Sequence, residues 1–430
     1  MRARSRVAAM GVVALAAAAA GAGAQTADVE RPRTVVVGTP AGGARTDRVD
    51  AARSGRSGSP LPLAEGGGLR IEWRAALGAS VDVAPVVDAR ATTYVAGTRG
   101  EVVAIARDGS ERWRVATGAI QPSAPVLLSD DSLIIADAAG EAVAVREGVV
   151  RWRVRFGRSD PARGIPPAPL ALDDGGVVVA TARDLAMLDA DGHERARTTL
   201  PEPTAFPLVS ALGRVLAVTT TGTVWSWSPG ASEVTRVGSF GGPIDDGAAL
   251  ADDHTLLAVA GGRQHLVALD LVRGTTTTRA VAPTGLWLGP PSMTAGTAHL
   301  LLQAPTSELA LSVDASGAET SRALLTTHPP PVSADGGAGL LVALPHTPFL
   351  VDGAGTVAFA SAEGGVGVVS GGVVDLVADV CPPAPGPRGA VAATAALAPL
   401  GAGAFAAACR SGTLLAVRNG GAGEKPAPHL

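Results

Sequence analysis

The chain has 430 residues, of which 47% are hydrophobic and 17% charged, so it can bury a sizeable core. Its net charge of −4 argues against a nucleic-acid-binding protein, because such proteins present a basic surface. Aromatic residues make up only 3% of the chain, which leaves Ala, Val, Leu and Gly to carry most of the packing.

The N-terminus has the layout of a secretory signal peptide. Three arginines within the first six residues precede an apolar run, residues 7–20, and small residues follow that run. We place the cleavage site between Ala24 and Gln25, which makes residues 1–24 the signal peptide. The apolar run is shorter than the roughly 20 residues needed to span a bilayer, and no later segment is long and apolar enough. We therefore expect a soluble protein that is exported to the periplasm or the cell exterior and does not span the membrane.

Residues 25–68 are rich in Gly, Ser, Pro and Arg, a composition typical of a chain that cannot bury enough apolar surface to fold. We interpret this segment as a flexible leader. The Pro-rich residues 421–430 are interpreted in the same way, as a disordered tail. The folded domain is then expected over residues 69–420.

A strand–turn–strand unit is repeated along that domain. The stretch "GEVVAIARDGSERWR" begins at Gly100, and "GEAVAVREGVVRWR" begins 40 residues later at Gly140. The glycine before the last strand of each unit recurs at Gly109, Gly148, Gly192, Gly230, Gly274, Gly317, Gly355 and Gly420. A period near 40 residues with several short strands per unit predicts an all-β protein, a β-propeller with one four-stranded antiparallel blade per period.

The ends of the repeat predict how the propeller closes. The last unit stops after its third strand, and "RIEWRA" at residues 70–75 resembles a fourth strand, so the N-terminal strand can complete the last blade and remove both open edges. This count gives eight blades, with seven or nine as alternatives. The long gap between Gly355 and Gly420 contains "VGVVSGGVVDLVADV", which we interpret as an extra hairpin in an insertion at about 361–390.

The repeat resembles the pyrroloquinoline-quinone-type propeller repeat. The matching residues include Gly100, Ala104, Gly109 and Trp113, and the run Leu266–Asp270 in a later unit. That family includes quinone-dependent alcohol dehydrogenases and also non-enzymatic propellers, such as the propeller lipoprotein of the bacterial outer-membrane assembly machinery. The resemblance implies that the repeated Trp residues pack between blades.

The residues do not support the chemistry of the family's enzymes, which use an adjacent Cys pair, a calcium ion held by carboxylate and amide oxygens, and an Asp base. Cys381 and Cys409 are far apart in sequence, and Asn419 is the only Asn in the chain. Asp pairs at 130–131, 173–174 and 252–253 recur in the expected turns between first and second strands, where Asp is favoured because its side chain bonds its own backbone. We therefore expect a non-enzymatic protein that has no catalytic residue and binds no metal, pyrroloquinoline quinone or calcium.

Two cysteines in an exported chain commonly pair. We therefore expect a disulfide between Cys381 and Cys409, which would attach the expected insertion to the last blade.

The predicted blades have two different faces. We name as face A the one with the first-to-second and third-to-fourth turns, which carries the Asp pairs. Face B has the second-to-third turns and the connections between blades. Face B collects a set of candidate partner-binding residues, namely Arg99, Arg183, Arg263, Arg410 and Trp287. Arg and exposed aromatic residues are enriched at interface hot spots.

We therefore expect a monomeric scaffold whose face B binds an acidic surface of a protein or a cell-envelope component. The alternative is a quinone-dependent dehydrogenase or a small-ligand binder that uses the central channel.

Overall fold

The computed structural model describes residues 44–46, 48–64, 68–158, 165–327, 349–361, 364–381, 384–386, 389–391, 395–401 and 403–420. Strands, turns and irregular loops account for all of these residues. A helix with the length and apolarity to cross a membrane does not occur among them. The predicted signal peptide, its cleavage site at Ala24 and Gln25, and the predicted tail at 421–430 lie outside the described residues.

Eight four-stranded antiparallel sheets form the fold, which confirms the predicted eight-bladed β-propeller. Blades 1 to 4 consist of β2 (Val86–Val87), β3 (Thr93–Ala96), β4 (Glu101–Ile105) and β5 (Glu111–Ala116); β6 (Val126–Leu127), β7 (Leu133–Ala136), β8 (Glu141–Arg146) and β9 (Val149–Arg155); β10 (Leu170–Ala171), β11 (Val177–Ala180), β12 (Asp184–Leu188) and β13 (Glu194–Thr199); and β14 (Val209–Ala211), β15 (Arg214–Val218), β16 (Thr223–Trp227) and β17 (Thr235–Ser239).

The other four blades follow the same order. They consist of β18 (Ile244–Asp252), β19 (Thr255–Ala260), β20 (His265–Asp270) and β21 (Thr276–Val281); β22 (Leu286–Thr294), β23 (Thr297–Ala304), β24 (Ser307–Val313) and β25 (Glu319–Thr326); β26 (Phe349–Val351), β27 (Val357–Ala360), β28 (Val366–Ser370) and β29 (Val373–Val377); and β32 (Ala395–Gly401), β33 (Ala404–Cys409), β34 (Thr413–Asn419) and β1 (Leu69–Ala76). A small hairpin of β30 (Ala384–Gly386) and β31 (Gly389–Val391) precedes β32.

The burial pattern explains why these short segments form blades. The second strands, such as β7 and β11, are buried at every residue because neighbouring blades cover both of their faces. The fourth strands, such as β5, alternate between exposed and half-buried residues because they lie on the outside of the ring.

The N-terminal strand closes the ring as predicted. β1 pairs antiparallel with β34 and becomes the fourth strand of blade 8, from Leu69 opposite Asn419 to Ala76 opposite Thr413. An ion pair between Arg418 and Glu72, at 3.0 Å, joins the two strands.

The repeated Trp and Gly residues form contacts between successive blades. A Cβ added to Gly109 in blade 1 would lie 2.6 Å from Cγ of Trp73 in blade 8, so the indole covers this glycine directly. Trp113 covers Gly148 and Trp152 covers Gly192 in the same way, each from one blade to the next. The motif therefore repeats in blades 1 to 3 because the third-to-fourth turn of each of these blades receives the Trp of the preceding blade, as the family resemblance implied.

One predicted hairpin was assigned wrongly. Residues 366–380, which we expected as an extra hairpin, contain β28 and β29, the third and fourth strands of blade 7. Gly355 lies in the first-to-second turn of that blade, while Gly372 occupies the third-to-fourth turn. The repeat was misaligned because both turns contain glycine and blade 7 has no Trp to distinguish them.

The predicted disulfide between Cys381 and Cys409 is present, with a Cα–Cα distance of 5.3 Å. Cys381 lies just beyond the fourth strand of blade 7, and Cys409 ends the second strand of blade 8. The bond therefore joins two neighbouring blades rather than an inserted hairpin and a blade.

The prediction of a flexible leader is wrong for the residues of it that the structure describes. Residues 44–46 and 48–64, which we call the plug, run along the innermost strands of the ring, and Arg53 is fully buried. Main-chain bonds from Ala44 to Val87 of blade 1 and from Pro60 to Gly403 of blade 8 mark its two ends. Composition alone suggested a disordered segment, but the first strands offer hydrogen-bond partners that the sequence does not reveal.

Candidate functional site

Face B carries exposed arginines on blades 1 to 3. Arg99 and Arg183 lie in the second-to-third turns of blades 1 and 3, as predicted, and both are exposed. Arg183 donates a hydrogen bond to the carbonyl oxygen of Pro201 at 2.6 Å, which orients its guanidinium. Arg158, in the connection from blade 2 to blade 3, is a third exposed arginine on this face.

A pocket of about 180 Å³ lies beside the loops that carry Arg158 and Arg183. It is lined by residues of blades 2, 3 and 4, including Arg158, Pro166, Pro167, Thr181, Thr204 and Thr220. The pocket therefore combines one cation, the carboxylate of Asp137, three hydroxyl-bearing side chains and an apolar wall.

An exposed apolar residue borders the same pocket. The side chain of Ile120 is 53% exposed, and its backbone bonds to Ala138 and to the carboxylate of Asp137, both of which line the pocket. Arg158 in the pocket wall is of a residue type that is enriched at protein interfaces. Ile120 and Arg158 were not among the predicted residues, although both lie in the Pro-containing connections where binding residues tend to collect.

Arg263 has a different role from the one predicted. Its guanidinium lies 3.4 Å from the carboxylate of Asp246, and both side chains are largely buried. The backbone N–H of Gly289 also donates to Asp246, at 3.2 Å. Because Gly289 belongs to blade 6 and the other two residues to blade 5, the ion pair joins neighbouring blades and leaves Arg263 little surface for a partner.

Arg410 is similarly engaged. Its Nε lies 2.8 Å from Asp82 in the connection that precedes blade 1, and both side chains are about three-quarters buried. The pair therefore supports the closure between blades 8 and 1 and offers only part of its charge to solvent.

Trp287 is not an exposed interface residue. It lies in β22, the first strand of blade 6, and is only 1% exposed. It packs in a cluster with Leu257, Leu266 and Leu302 between blades 5 and 6. We expected it in an exposed connection because turn-forming residues flank it, but the strand extends through them with a register shift between Leu288 and Ser292.

Face A carries the Asp pairs, in first-to-second turns as predicted. Asp130 accepts bonds from Ser132, and Asp174 from the backbone of Gly176, so these carboxylates hold their own turns. Arg146 lies 3.4 Å from Asp130 and supplies a local counter-charge.

One group of possible metal ligands occurs among the described residues, formed by Asp189, Asp191 and His193 on a face A turn. Burial pushes the pKa of Asp189 up, but bonds from the backbone of His193 and Asp191 and from Arg195 outweigh it and hold the pKa below its usual value. These bonds already use Asp189 to hold the turn and to pair with Arg195, at 2.7 Å.

The residues do not fit the quinone and calcium that the resemblance implies for the family's enzymes. The two cysteines form a disulfide across 28 residues, so they do not supply an adjacent pair. Asn419 ends the third strand of blade 8, away from the innermost strands. Asp246 is held by Arg263 and Gly289, and the plug bonds to the first strands near their first-to-second turns, at the face A end of the channel.

Comparison with known proteins agrees with the fold. A family model described as "Outer membrane protein assembly factor BamB" matches residues 63–279, half of the chain. Among the curated proteins, none matches the chain in sequence.

Solved structures show the same architecture at low sequence identity. BamB from Moraxella catarrhalis is 17% identical with a TM-score of 0.54, over 81% of this chain and 97% of that one. Quinohemoprotein alcohol dehydrogenase from Comamonas testosteroni is 12% identical with a TM-score of 0.63, over 91% and 83% of the two chains. Quinohemoprotein alcohol dehydrogenase ADHIIG from Pseudomonas putida HK5 is 13% identical with a TM-score of 0.61, over 93% and 84%. The fold is thus shared by an assembly factor and by enzymes.

Proposed function

Because the chain belongs to the family of the outer membrane protein assembly factor BamB, we propose that it is an exported, non-enzymatic scaffold that binds a protein of the cell envelope. The predicted signal peptide supports export. We further propose that the scaffold acts as a monomer.

The proposed docking surface is face B of blades 1 to 3. The observation that carries this choice is the set of exposed arginines Arg99, Arg158 and Arg183 on this face, of which Arg158 lines a pocket bordered by exposed Ile120. Arg is enriched at interface hot spots, and loops on a rigid scaffold are common binding elements. The expected partner surface is acidic, with an apolar side chain that enters the pocket.

The test compares two triple variants with the same change of charge. Arg99, Arg158 and Arg183 are replaced by Glu on face B, and the exposed Arg90, Arg107 and Arg273 are replaced by Glu on face A. Both variants should melt close to the wild type because exposed charges contribute little to stability.

Affinity purification from the native envelope, after cross-linking and mass spectrometry, reads out the partner. We expect the wild type and the face A variant to retain the same protein and the face B variant to lose it. If the face A variant loses that protein and the face B variant keeps it, the proposed assignment of the docking surface to face B is wrong.

The alternative function is a quinone-dependent dehydrogenase. We propose that the chain lacks this activity, since its donor residues do not match those of the family's enzymes. Incubation with pyrroloquinoline quinone and calcium, followed by a dye-linked dehydrogenase assay over a panel of alcohols, tests this directly. Turnover that depends on both additions would overturn the scaffold proposal.

A further inference from the structure

The plug contacts the ring throughout but belongs to none of its sheets. Each of the eight four-stranded sheets is complete without it, because the closing strand β1 begins at Leu69. Its contacts are therefore those of a bound segment rather than of a strand in a blade.

The inner edge of the ring is suited to binding a peptide backbone. The first strand of each blade pairs with the second strand on one side only, so its other edge, facing the axis, presents N–H and C=O groups without a sheet partner. The plug supplies partners for six of these strands, through Ala44 to Val87, Arg45 to Leu127, Ala51 to Ser210, Ala52 to Leu250, Ser54 to Met293, and Gly55 and Ser57 to Val351. Such main-chain pairing is the basis of peptide recognition at sheet edges.

Buried Arg53 supplies a specific contact in addition to the backbone. Its guanidinium donates to the carbonyl oxygens of Leu208 at 2.8 Å and Pro169 at 3.0 Å, in blades 4 and 3. Arg48 reaches the carbonyl oxygen of Pro291 in blade 6. Hydrogen bonds to charged groups are stronger than neutral ones, so these contacts fix the segment's position on the ring.

Asp50 completes the polar interior of the plug. Its carboxylate accepts a bond from the backbone of Ser54 at 2.9 Å, and Arg48 and Arg53 provide positive charge nearby. Burial nevertheless raises the pKa of Asp50 above its usual value. The segment therefore carries its own counter-charge into the channel.

The fit is close in shape as well as in charge. Gly55 has φ of +67°, and a Cβ there would lie 2.7 Å from Oγ of Ser292 and 3.1 Å from the carbonyl oxygen of Phe349. Arg48, Val49 and Arg53 also adopt positive φ values, which non-glycine residues hold only when their surroundings impose them. A cavity of only about 20 Å³ remains where the plug meets blades 2 and 3.

We propose that the inner strands form a peptide-binding site at the face A end of the channel and that residues 44–64 are its ligand, separable from the ring. The site takes a loop-shaped peptide that pairs through its backbone and inserts an arginine between blades 3 and 4. While this segment is bound, the channel is closed to other ligands at that end.

The experiment uses the full chain, with a protease recognition sequence in place of residues 65–67, cleaved after folding. We expect the fragment that ends at residue 64 to co-elute with the ring in gel filtration. A fluorescent synthetic peptide of residues 44–64 should then exchange into the cleaved protein in a saturable manner, as followed by anisotropy.

Peptide variants test the specific contacts. Arg53→Ala should raise the Kd at least tenfold, in line with the loss of hydrogen bonds from a buried charged group. Gly55→Ala should weaken binding to a similar degree because the added Cβ would lie 2.7 Å from Oγ of Ser292 and 3.1 Å from the carbonyl oxygen of Phe349. The control is Arg56→Ala, which removes the same charge from an exposed position and should leave the Kd unchanged.

Three results would overturn the proposal. The ring could lose its β-sheet circular dichroism when the fragment is displaced, which would make the plug part of the folding core. The fragment could separate at once from an intact ring, which would mean that there is no site. Arg56→Ala could weaken binding as much as Arg53→Ala, which would reduce the interaction to net charge.

Discussion

The contact between Trp73 and Gly109 gives a quantitative test of why the repeat exists. Gly109 has φ of +85°, and its added Cβ would lie 2.6 Å from the indole of Trp73, which donates from Nε1 to the carbonyl oxygen of Arg107 at 2.8 Å. Gly109→Ala therefore carries two costs, the left-handed conformation at about 1–2 kcal/mol and the displacement of the indole.

A matched control separates these costs. Gly230 has φ of +97° in the third-to-fourth turn of blade 4, and its added Cβ would meet no atom within 4 Å. Gly230→Ala should thus cost only the conformational part. We expect Gly109→Ala to cost about 2 kcal/mol more, from one lost hydrogen bond and partial exposure of the indole.

The magnitude can be checked with a double-mutant cycle in urea denaturation. Trp73→Ala alone should lower the free energy of unfolding by about 3 kcal/mol, near the lower end for large core truncations because the indole is only partly buried. In the Trp73→Ala background, Gly109→Ala should cost no more than Gly230→Ala does in the wild type, because the indole is gone. Equal costs for Gly109→Ala and Gly230→Ala in the wild type would refute the reasoning.

Three further predictions concern buried groups. Burial lowers the pKa of His299 from 6.5 to about 4, so the stability that depends on its neutral ring is complete above about pH 6.5 and is lost as the pH falls towards 4. This loss should reach about 3 kcal/mol in urea titrations across that range, and His299→Gln should remove the slope. Replacing both Cys381 and Cys409 by Ser should lower the free energy of unfolding by about 3–4 kcal/mol, as for other loops of similar length, whereas a reductant should not affect the double variant. Arg263→Leu should cost about 3–5 kcal/mol by leaving the carboxylate of Asp246 buried without its arginine, and Asp246→Asn in the same chain should recover part of that loss in thermal denaturation.

The repeated units made most of the ring predictable. The turn glycine and the Trp of the fourth strand occur as Gly109 and Trp113 in blade 1 and again as Gly148 and Trp152 in blade 2. They recur because the Trp of one blade packs on the glycine of the next, so the repeat period equals the length of a blade. The closing strand could be recognised because Trp73 keeps the same spacing. Blade 7 was misaligned because it has no Trp, and its two glycine turns are alike in sequence.

The candidate site was less predictable because its chemistry depends on contacts between distant residues. Arg263 looked like an exposed turn residue, but Asp246, 17 positions earlier, buries it in an ion pair. Trp287 is followed by Pro290 and Pro291, which normally end a strand. They are tolerated within β22 because they lie at the register shift between Leu288 and Ser292, where the strand does not pair with β23 and no N–H is needed for the ladder.

The prediction of a flexible leader was wrong for the plug because it too depends on contacts with distant residues, which here order the segment. Its Gly, Ser and Arg residues cannot form a core by themselves, so composition predicted disorder. Open backbone groups on the first strands compensate for that, since they bind the plug's own N–H and C=O groups regardless of side chain. A segment of low hydrophobicity can therefore be ordered when a preformed ring supplies hydrogen-bond partners at several points along it.

The two ends of the channel then have separate consequences for binding. The plug lies at the face A end, whereas the exposed arginines and the pocket lie on face B of blades 1 to 3. A partner at face B needs no plug residue, because Arg99, Arg158 and Arg183 are held by the loops of their own blades. Displacing the plug should therefore leave face B binding intact, and a partner that binds only the emptied ring would have to use the inner strands instead.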